Sequence, residues 1–287
     1  MFRPVPDERA VMVQSADPVN YFEMLRLTAR PNRDFCRRRK VRYACVQAVL
    51  YGFHPWQACY NRILFLHDLV AQGYGGWFLH LDADAYVHDR RFDIATYLDT
   101  HADRSFIIAR GSGPEPWNVN DGVFFANCAH PDTQRIARLW MEGLDALPLE
   151  RLRAAVEWVD QPDDQRLLHA VLRRQPALTD AFHYESAALI NSPEASFTRQ
   201  VLRAAERDPA QRVRRIARDV AQSLRRSGEP PDLLLPSLAA ALKVPAPDID
   251  AMGEAAAEPE ALVAALRQLV AQWEQRQARQ AEAAPTA

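Results

Sequence analysis

Lysine is almost missing from this 287-residue chain: Lys40 and Lys243 are the two lysines among 35 basic residues. Arginine therefore supplies nearly all positive charge, which suits two-pronged contacts to phosphate and carboxylate but assigns no function by itself. There is no charge excess of either sign. The formal net charge of -2 at pH 7 offers no general attraction to nucleic acid, and no nucleic-acid partner is expected. The one basic cluster, Arg33, Arg37, Arg38, Arg39, Lys40 and Arg42, is short and reads as a solvated helix face. Cysteine is also scarce. Cys36, Cys45, Cys59 and Cys128 show neither paired metal spacing nor disulfide density, so they are expected to be reduced and packed. No run of 18 apolar residues occurs, and Met1 to Arg9 holds no apolar signal core. These absences argue against a membrane span and place the chain in the cytoplasm, or at its inner membrane face through a partner.

What is present is a composition 48% apolar, enough for one substantial core and an appendage. Short apolar runs alternate with helical patterns, which predicts an α/β layer structure. The predicted strands are Ala10 to Gln14, Trp77 to Leu81, Ser105 to Ala109, Gly122 to Ala126 and Ala187 to Asn191. Between them run three helical stripes: Ile63, Leu66, Leu69, Val70; Ile136, Leu139, Trp140, Leu144; and Leu167, Leu168, Val171, Leu172. Beyond about residue 195 the texture changes. Phe197, Val201 and Leu202 begin a helical pattern that Val213, Ile216, Val220 and Leu224 continue. Ser227 to Pro231 breaks it, and Pro236, Pro245 and Pro247 mark a loose connection. Leu262, Leu266, Leu269 and Trp273 then follow a spacing suited to helix packing. The predicted division is an α/β domain over 1–205 and a helical extension over 206–287, whose helices could serve a homo-oligomer or a peripheral membrane contact.

The most informative stretch is Trp77 to Val87, an apolar run ending in Asp82 and Asp84. If the run is a strand, period-2 geometry points both carboxylates the same way at its end, as a shared divalent cation requires. An isolated Asp-x-Asp is more often plain surface acid, but a buried strand does not end in two carboxylates without solvent or a cation to compensate them. Other clusters stand beside it. Trp56 and Arg62 open the preceding helix, where a cation could meet a diphosphate. Asn118, Asn120, Asp121 and Gly122 lead into a strand and could present hydrogen bonds to sugar hydroxyls, although an Asn-Asp-Gly turn accounts for them equally well. Asp163, Asp164 and Gln165 precede a helix; alone, they read as its cap.

Taken in order, these motifs resemble the nucleotide-sugar glycosyltransferases of the GT-A fold, nearest the galactosyl-, xylosyl- and mannosyltransferase family. The residues that carry the resemblance are Trp56 with Arg62, Leu81-Asp82-Ala83-Asp84-Ala85, Asn120-Asp121-Gly122-Val123-Phe124 with Asn127-Cys128, Asp163-Asp164-Gln165, and Asn191-Ser192, spanning roughly residues 8 to 205. The resemblance implies a Rossmann-like mixed sheet, a manganese or magnesium ion, a UDP- or GDP-sugar donor, a glycan or lipid-linked acceptor, and transfer with retention. It also implies roles: Asp84 and Asp82 at the metal, Arg62 at the diphosphate, Asn120 and Gly122 at the sugar pocket, with Trp56, Asn118, Asp121 and Asn191 also on substrate. Asp163, Asp164 and Gln165 would orient donor and acceptor.

The sequence departs from the family in one ligand. Where the family has a late Phe-x-x-His, this chain reads Phe197-Thr198-Arg199-Gln200, so that either Gln200 or His183 would complete the metal set. Two other readings compete. Haloacid-dehalogenase-like phosphatases also place Asp-x-Asp after a strand, but that motif normally opens their domain, and their charge-partner lysine could here be only Lys243, in the proline-rich connection. A noncatalytic carbohydrate- or nucleotide-binding module is the third.

Overall fold

The structure, a computed structural model, describes residues 3, 5, 7–226 and 259–282. The chain divides into two compact units, Met1–Asp208 and Pro209–Ala287. The first is built on a six-stranded mixed sheet. Its strands are β1 (Ala10–Ala16), β2 (Arg42–Gln47), β3 (Trp77–Leu81), β5 (Phe106–Arg110), β6 (Val119–Asn127) and β7 (Phe182–Glu185), in the order β2-β1-β3-β6-β5-β7. β1 runs parallel to β2 and β3, β6 is antiparallel to both β3 and β5, and β7 is parallel to β5. A second sheet holds β4 (Ala85–Val87), β9 (Thr198–Gln200) and β8 (Ile190–Ser192), in that order.

Both faces of the main sheet are covered, so its central strands are largely apolar. On one face Val11, Val13, Phe78 and Phe124 pack with Ile63, Leu66, Trp140 and Leu168, contributed by α2 (Asn61–Ala71), α4 (Pro131–Asp145) and α6 (Asp164–Arg174). On the other, Met12, Leu79, Leu81 and Phe125 pack with Phe35 and Cys36 of α1 (Phe22–Arg39) and with Phe197, which stacks on Phe92 at 3.9 Å. The shorter helices α3 (Ile94–Thr100) and α5 (Leu149–Ala154) complete this unit. Its three long apolar stripes fall on α2, α4 and α6.

Several sequence expectations need correction. Phe197 to Leu202 is not helical: Gln200, Arg199 and Thr198 pair with Ala85, Tyr86 and Val87, and the ladder overrides the local pattern. The strand expected over Ala187 to Asn191 shrinks to Ile190–Ser192, because Ser186 turns the chain by accepting from the Ile190 N–H. The basic cluster is no single helix face. It ends α1, where cations favour the helix dipole; Lys40 then turns the chain with φ 55°, and Arg42 enters β2 to pair with Glu8 at 2.7 Å. In the second unit α7 (Pro209–Arg226) buries Ile216, Val220 and Leu224. α8 (Pro259–Glu282) carries the other predicted stripe, with Leu269 buried and Trp273 exposed. The proline-rich connection lies outside the described residues. Among the described residues no helix is long and apolar enough to cross a membrane.

Candidate functional site

β3 stops at Leu81, and Asp82 to Ala85 form a turn closed by the Ala85 N–H to the Asp82 carbonyl at 3.0 Å. The two aspartates thus converge by a turn and not by the pleat of a continuing strand. The turn is held from below by groups on two other elements. Gln14 of β1 donates to the Asp82 and Ala85 carbonyls at 3.0 and 2.9 Å, and Thr28 of α1 donates to the Ala83 carbonyl at 2.8 Å. Asn32 of α1 donates to Ala85 and accepts from the Val87 N–H. Buried amides and hydroxyls with full sets of partners fix a loop firmly.

Gln200 closes this turn from the second sheet. Its Nε2 donates to Asp82 Oδ2 and to Asp84 Oδ1, both at 2.9 Å, so two carboxylate oxygens meet at one point. Its Oε1 is buried with no donor, and turning the amide by 180° would bring that oxygen to the same point. Two carboxylates and an amide oxygen are hard donors of the kind that manganese or magnesium takes. Among the described residues no three His, Cys, Asp or Glu side chains form a metal cage, so a cation here would rest on this mixed set. Gly122 is the floor beneath it: a methyl group there would lie 2.5 Å from Gln200 Oε1 and 2.9 Å from Asp82 Oδ2.

Arg62 organises a second layer. Its guanidinium is buried and reaches Asp82 Oδ1 at 2.5 Å, Asp164 Oδ2 at 2.8 Å and Asp121 Oδ1 at 3.4 Å, with a further bond to the Asp121 carbonyl at 2.6 Å. The resemblance assigns this arginine to a diphosphate; in the structure it is the counter-ion of three acidic side chains, drawn from the turn after β3, from β6 and from α6. Burial works against ionising each acid, and the outcomes differ. Arg62 overcomes burial at Asp82 and holds it at about 2. At Asp121 burial and the neighbouring Asp164 win, and its carboxyl is pushed well above the usual range. Asp121 Oδ2 is buried and receives no donor, and at the neighbouring Asp164 burial likewise raises the carboxyl, against the pull of Arg62. Behind Asp82, His80 lies 5.1 Å from the Phe124 ring, with Nε2 3.5 Å from Asp82 Oδ1. Burial, aided by Arg62, lowers it to about 4 and keeps it neutral.

These groups form the floor of a cleft of about 760 Å³, whose walls include Trp56, Asn120, Asp121, Gly122, Asp163, Asp164 and Gln165. β6 begins at Val119, three residues before the predicted start, and the register jump opposite Ile108 and Ala109 leaves Asp121 to Val123 out of the ladder with β5, with Asp121 and Gly122 lining the cleft. Gln165 Oε1 accepts from the Asp121 N–H at 3.3 Å, and Asn120 Oδ1 from the Gly122 N–H at 3.0 Å. Asp163 both lines the cleft and caps α6, accepting from the Arg166 N–H at 2.8 Å. Asn191, at φ 63°, braces this floor by donating to the Asn120 carbonyl at 3.4 Å.

Two expected residues lie elsewhere. His183 sits on edge strand β7, its Nε2 3.3 Å from Glu185 and its ring 4.2 Å from that of His101; β5 and β6 separate it from β3. Asn118 closes the loop between β5 and β6, its carbonyl accepting from the Gly111 N–H at 2.7 Å, and does not line the cleft. Sequence reasoning missed Gln14, Thr28, Asn32 and His80. The available signal was Gln14 itself, an amide inside the apolar run Ala10 to Ala16.

The loop 155–163 also lines the cleft, through Val156, Glu157, Trp158 and Asp163. The 3-10 helix Pro55–Tyr60 anchors both its ends: the Trp56 indole N–H donates to the Ala155 carbonyl at 2.9 Å, and the Tyr60 hydroxyl to the Pro162 carbonyl at 2.7 Å.

No family model matches the chain, and no curated protein matches it. Among solved structures, a glycosyltransferase involved in the glycosylation of the major capsid of PBCV-1 overlays with a TM-score of 0.52 at 14% identity, covering 71% of this chain and 96% of that one. The glycosyltransferase GlyE of Streptococcus pneumoniae TIGR4 gives 0.38 at 14% identity over 64% of this chain and 47% of that one. The first overlay, with the mixed sheet and its element order, shows that the chain has a GT-A-like α/β fold.

Proposed function

We propose that the protein is a metal-dependent glycosyltransferase that moves a sugar from a nucleoside-diphosphate donor to a hydroxyl of a glycan or lipid-linked acceptor, with retention of anomeric configuration. The observation that carries this reading is the convergence of Asp82, Asp84 and Gln200 on one point at the floor of a cleft large enough for such a donor. Asp82 and Asp84, with the amide oxygen of Gln200, would hold manganese or magnesium. When bound, the ion supplies a Lewis acid for the charge that grows on the departing diphosphate.

The chain's own residues prepare the rest. Arg62 keeps Asp82 ionised, so the carboxylate needs no proton loss when a cation arrives. Asn120 and Gln165 offer amides to sugar hydroxyls, and Asp163 offers a carboxylate to an acceptor hydroxyl. UDP- and GDP-sugars are the expected donors. The phosphatase alternative needs Asp82 as a free nucleophile, yet one of its oxygens is held by Arg62 and the other by Gln200.

A thermal-shift series with UDP, GDP, CDP and dTDP sugars, with and without manganese, tests the proposal. One nucleotide class should stabilise the protein only with metal, and Asp84→Asn should abolish that response, because only native-state binding raises apparent stability. Stabilisation by no donor would overturn it and favour a noncatalytic module.

A further inference from the structure

Trp158 is where the cleft meets solvent with an apolar surface. Among the described residues of the first unit it is the exposed tryptophan, at 42% of its surface, and it lines the cleft beside Val156 and Glu157. Its exposure follows from how the loop is built. Glu157 and Asp160 close a tight turn in both directions, the Asp160 N–H giving to the Glu157 carbonyl at 3.0 Å and Asp160 Oδ2 accepting from the Glu157 N–H at 2.9 Å. Trp158 is at the tip of that turn, and the loop's two ends are pinned by Trp56 and Tyr60. The ring is therefore held out by the backbone on a fixed support. Two guanidiniums flank it, Arg166 at 5.5 Å and Arg203 at 5.8 Å from its centroid.

We propose that Trp158 is the platform on which a pyranose ring of the acceptor stacks, which makes the acceptor a glycan end and not a bare lipid or amino-acid hydroxyl. The inference rests on the transferase reading above. A pyranose has one face of C–H bonds and an edge of hydroxyls. A flat indole covers the first without demanding hydrogen bonds, and the two arginines and Glu157 supply donors and acceptors for the second. Exposed apolar surface at a cleft mouth with a polar rim is the composition of a ligand groove. A ring seated there would point a hydroxyl inward, toward Asp163 and Gln165 on the same cleft wall.

The test is saturation-transfer NMR on the whole protein with a panel of methyl hexopyranosides and with octyl glucoside, on wild type, Trp158→Ala and Trp158→Phe. The nucleotide-sugar thermal shift is run in parallel on each. Signal confined to ring C–H protons, lost with binding weakened on the order of tenfold in Trp158→Ala and retained in Trp158→Phe, with the donor shift unchanged, supports the proposal. Sugar signal that is absent in wild type, or indifferent to Trp158→Ala, while the donor shift persists overturns the platform and leaves the transferase reading standing. Transfer only to the octyl chain overturns it in favour of a lipid acceptor. Loss of the donor shift in wild type overturns the transferase reading, and the platform with it.

Discussion

Replacing Arg62 by methionine keeps a long unbranched side chain and removes the positive charge shared by three acidic side chains. Deleting one partner of a buried ionic group costs about 3–5 kcal/mol, because the charges left behind are unpaired. Two features of this site set the value at the lower end. Burial and Asp164 push the Asp121 carboxyl well above the usual range, so its charge weighs less on the loss of Arg62 than that of an ordinary carboxylate. Asp82 keeps 29% of its side-chain surface in solvent, and water can replace part of what Arg62 supplied. The expected loss at pH 7 is therefore ~3 kcal/mol, read as a fall in the urea midpoint at constant slope.

The pH dependence checks the cause. Asp82 is lowered in the folded protein from 3.8 to about 2, so its contribution is complete above the ordinary carboxylate value and drains away as pH falls through about 2. That difference is worth ~2 kcal/mol. Without Arg62, burial raises Asp82 above its ordinary value, so the gap between wild type and Arg62→Met should begin to narrow above about pH 4 and should shrink further toward pH 2. Arg62→Lys should fall between the two, since a point charge cannot reach three acids at once. A loss below about 1 kcal/mol at pH 7, the level of a surface pair, or a gap that does not narrow in acid, would refute the counter-ion assignment.

Four further outcomes follow from the same geometry. Asp121→Asn should equal or exceed wild-type stability at pH 8: burial raises the folded-state value, so wild type loses stability as pH rises above the unfolded carboxylate range, whereas the amide does not; thermal melts at pH 5 and 8 measure this. Gly122→Ala should cost about 1–3 kcal/mol by overpacking and weaken any manganese response, since its methyl displaces Gln200 or Asp82; a chemical denaturation curve and a manganese titration report both. Gln200→Ala should lose ~2 kcal/mol by removing donors to two carboxylates, with millimolar manganese recovering part of it in a thermal melt. Trp56→Phe should lose about 1 kcal/mol and speed proteolysis within the loop 155–163, because the bond to Ala155 is gone; limited proteolysis followed by mass spectrometry locates the cut.

The layer structure and the strand leading to Asp82 were legible because buried strands and amphipathic helices write their periods into the sequence. β3 and the stripes of α2, α4 and α6 are of that kind. β2 was not legible, since Arg42 to Gln47 mixes polar and apolar residues at a sheet edge and its pairing with β1 is nonlocal. β9 was misread for a related reason: three residues carry no period, and only the distant partner β4 makes them a strand. At the site, the clustering of Asp82, Asp121, Asp164 and Gln165 could be suspected from motif order. The role of Arg62 could not, because a basic residue at a helix start looks the same whether it faces a phosphate or is enclosed by acids from three elements. His183 looked eligible as a ligand only while its place at the far side of the sheet was unknown.

Gln200 does not titrate. An imidazole between two carboxylates would change charge near pH 6.5 and would be lost as an electron-pair donor in acid. An amide keeps the same donor and acceptor through the whole working range of proteins. With Arg62 holding Asp82 ionised down to about 2, the amide contributes no acid limb of its own to cation affinity. The lower pH limit of a cation-loaded state would then be set by the carboxylates, and a mildly acidic compartment would not by itself switch the site off.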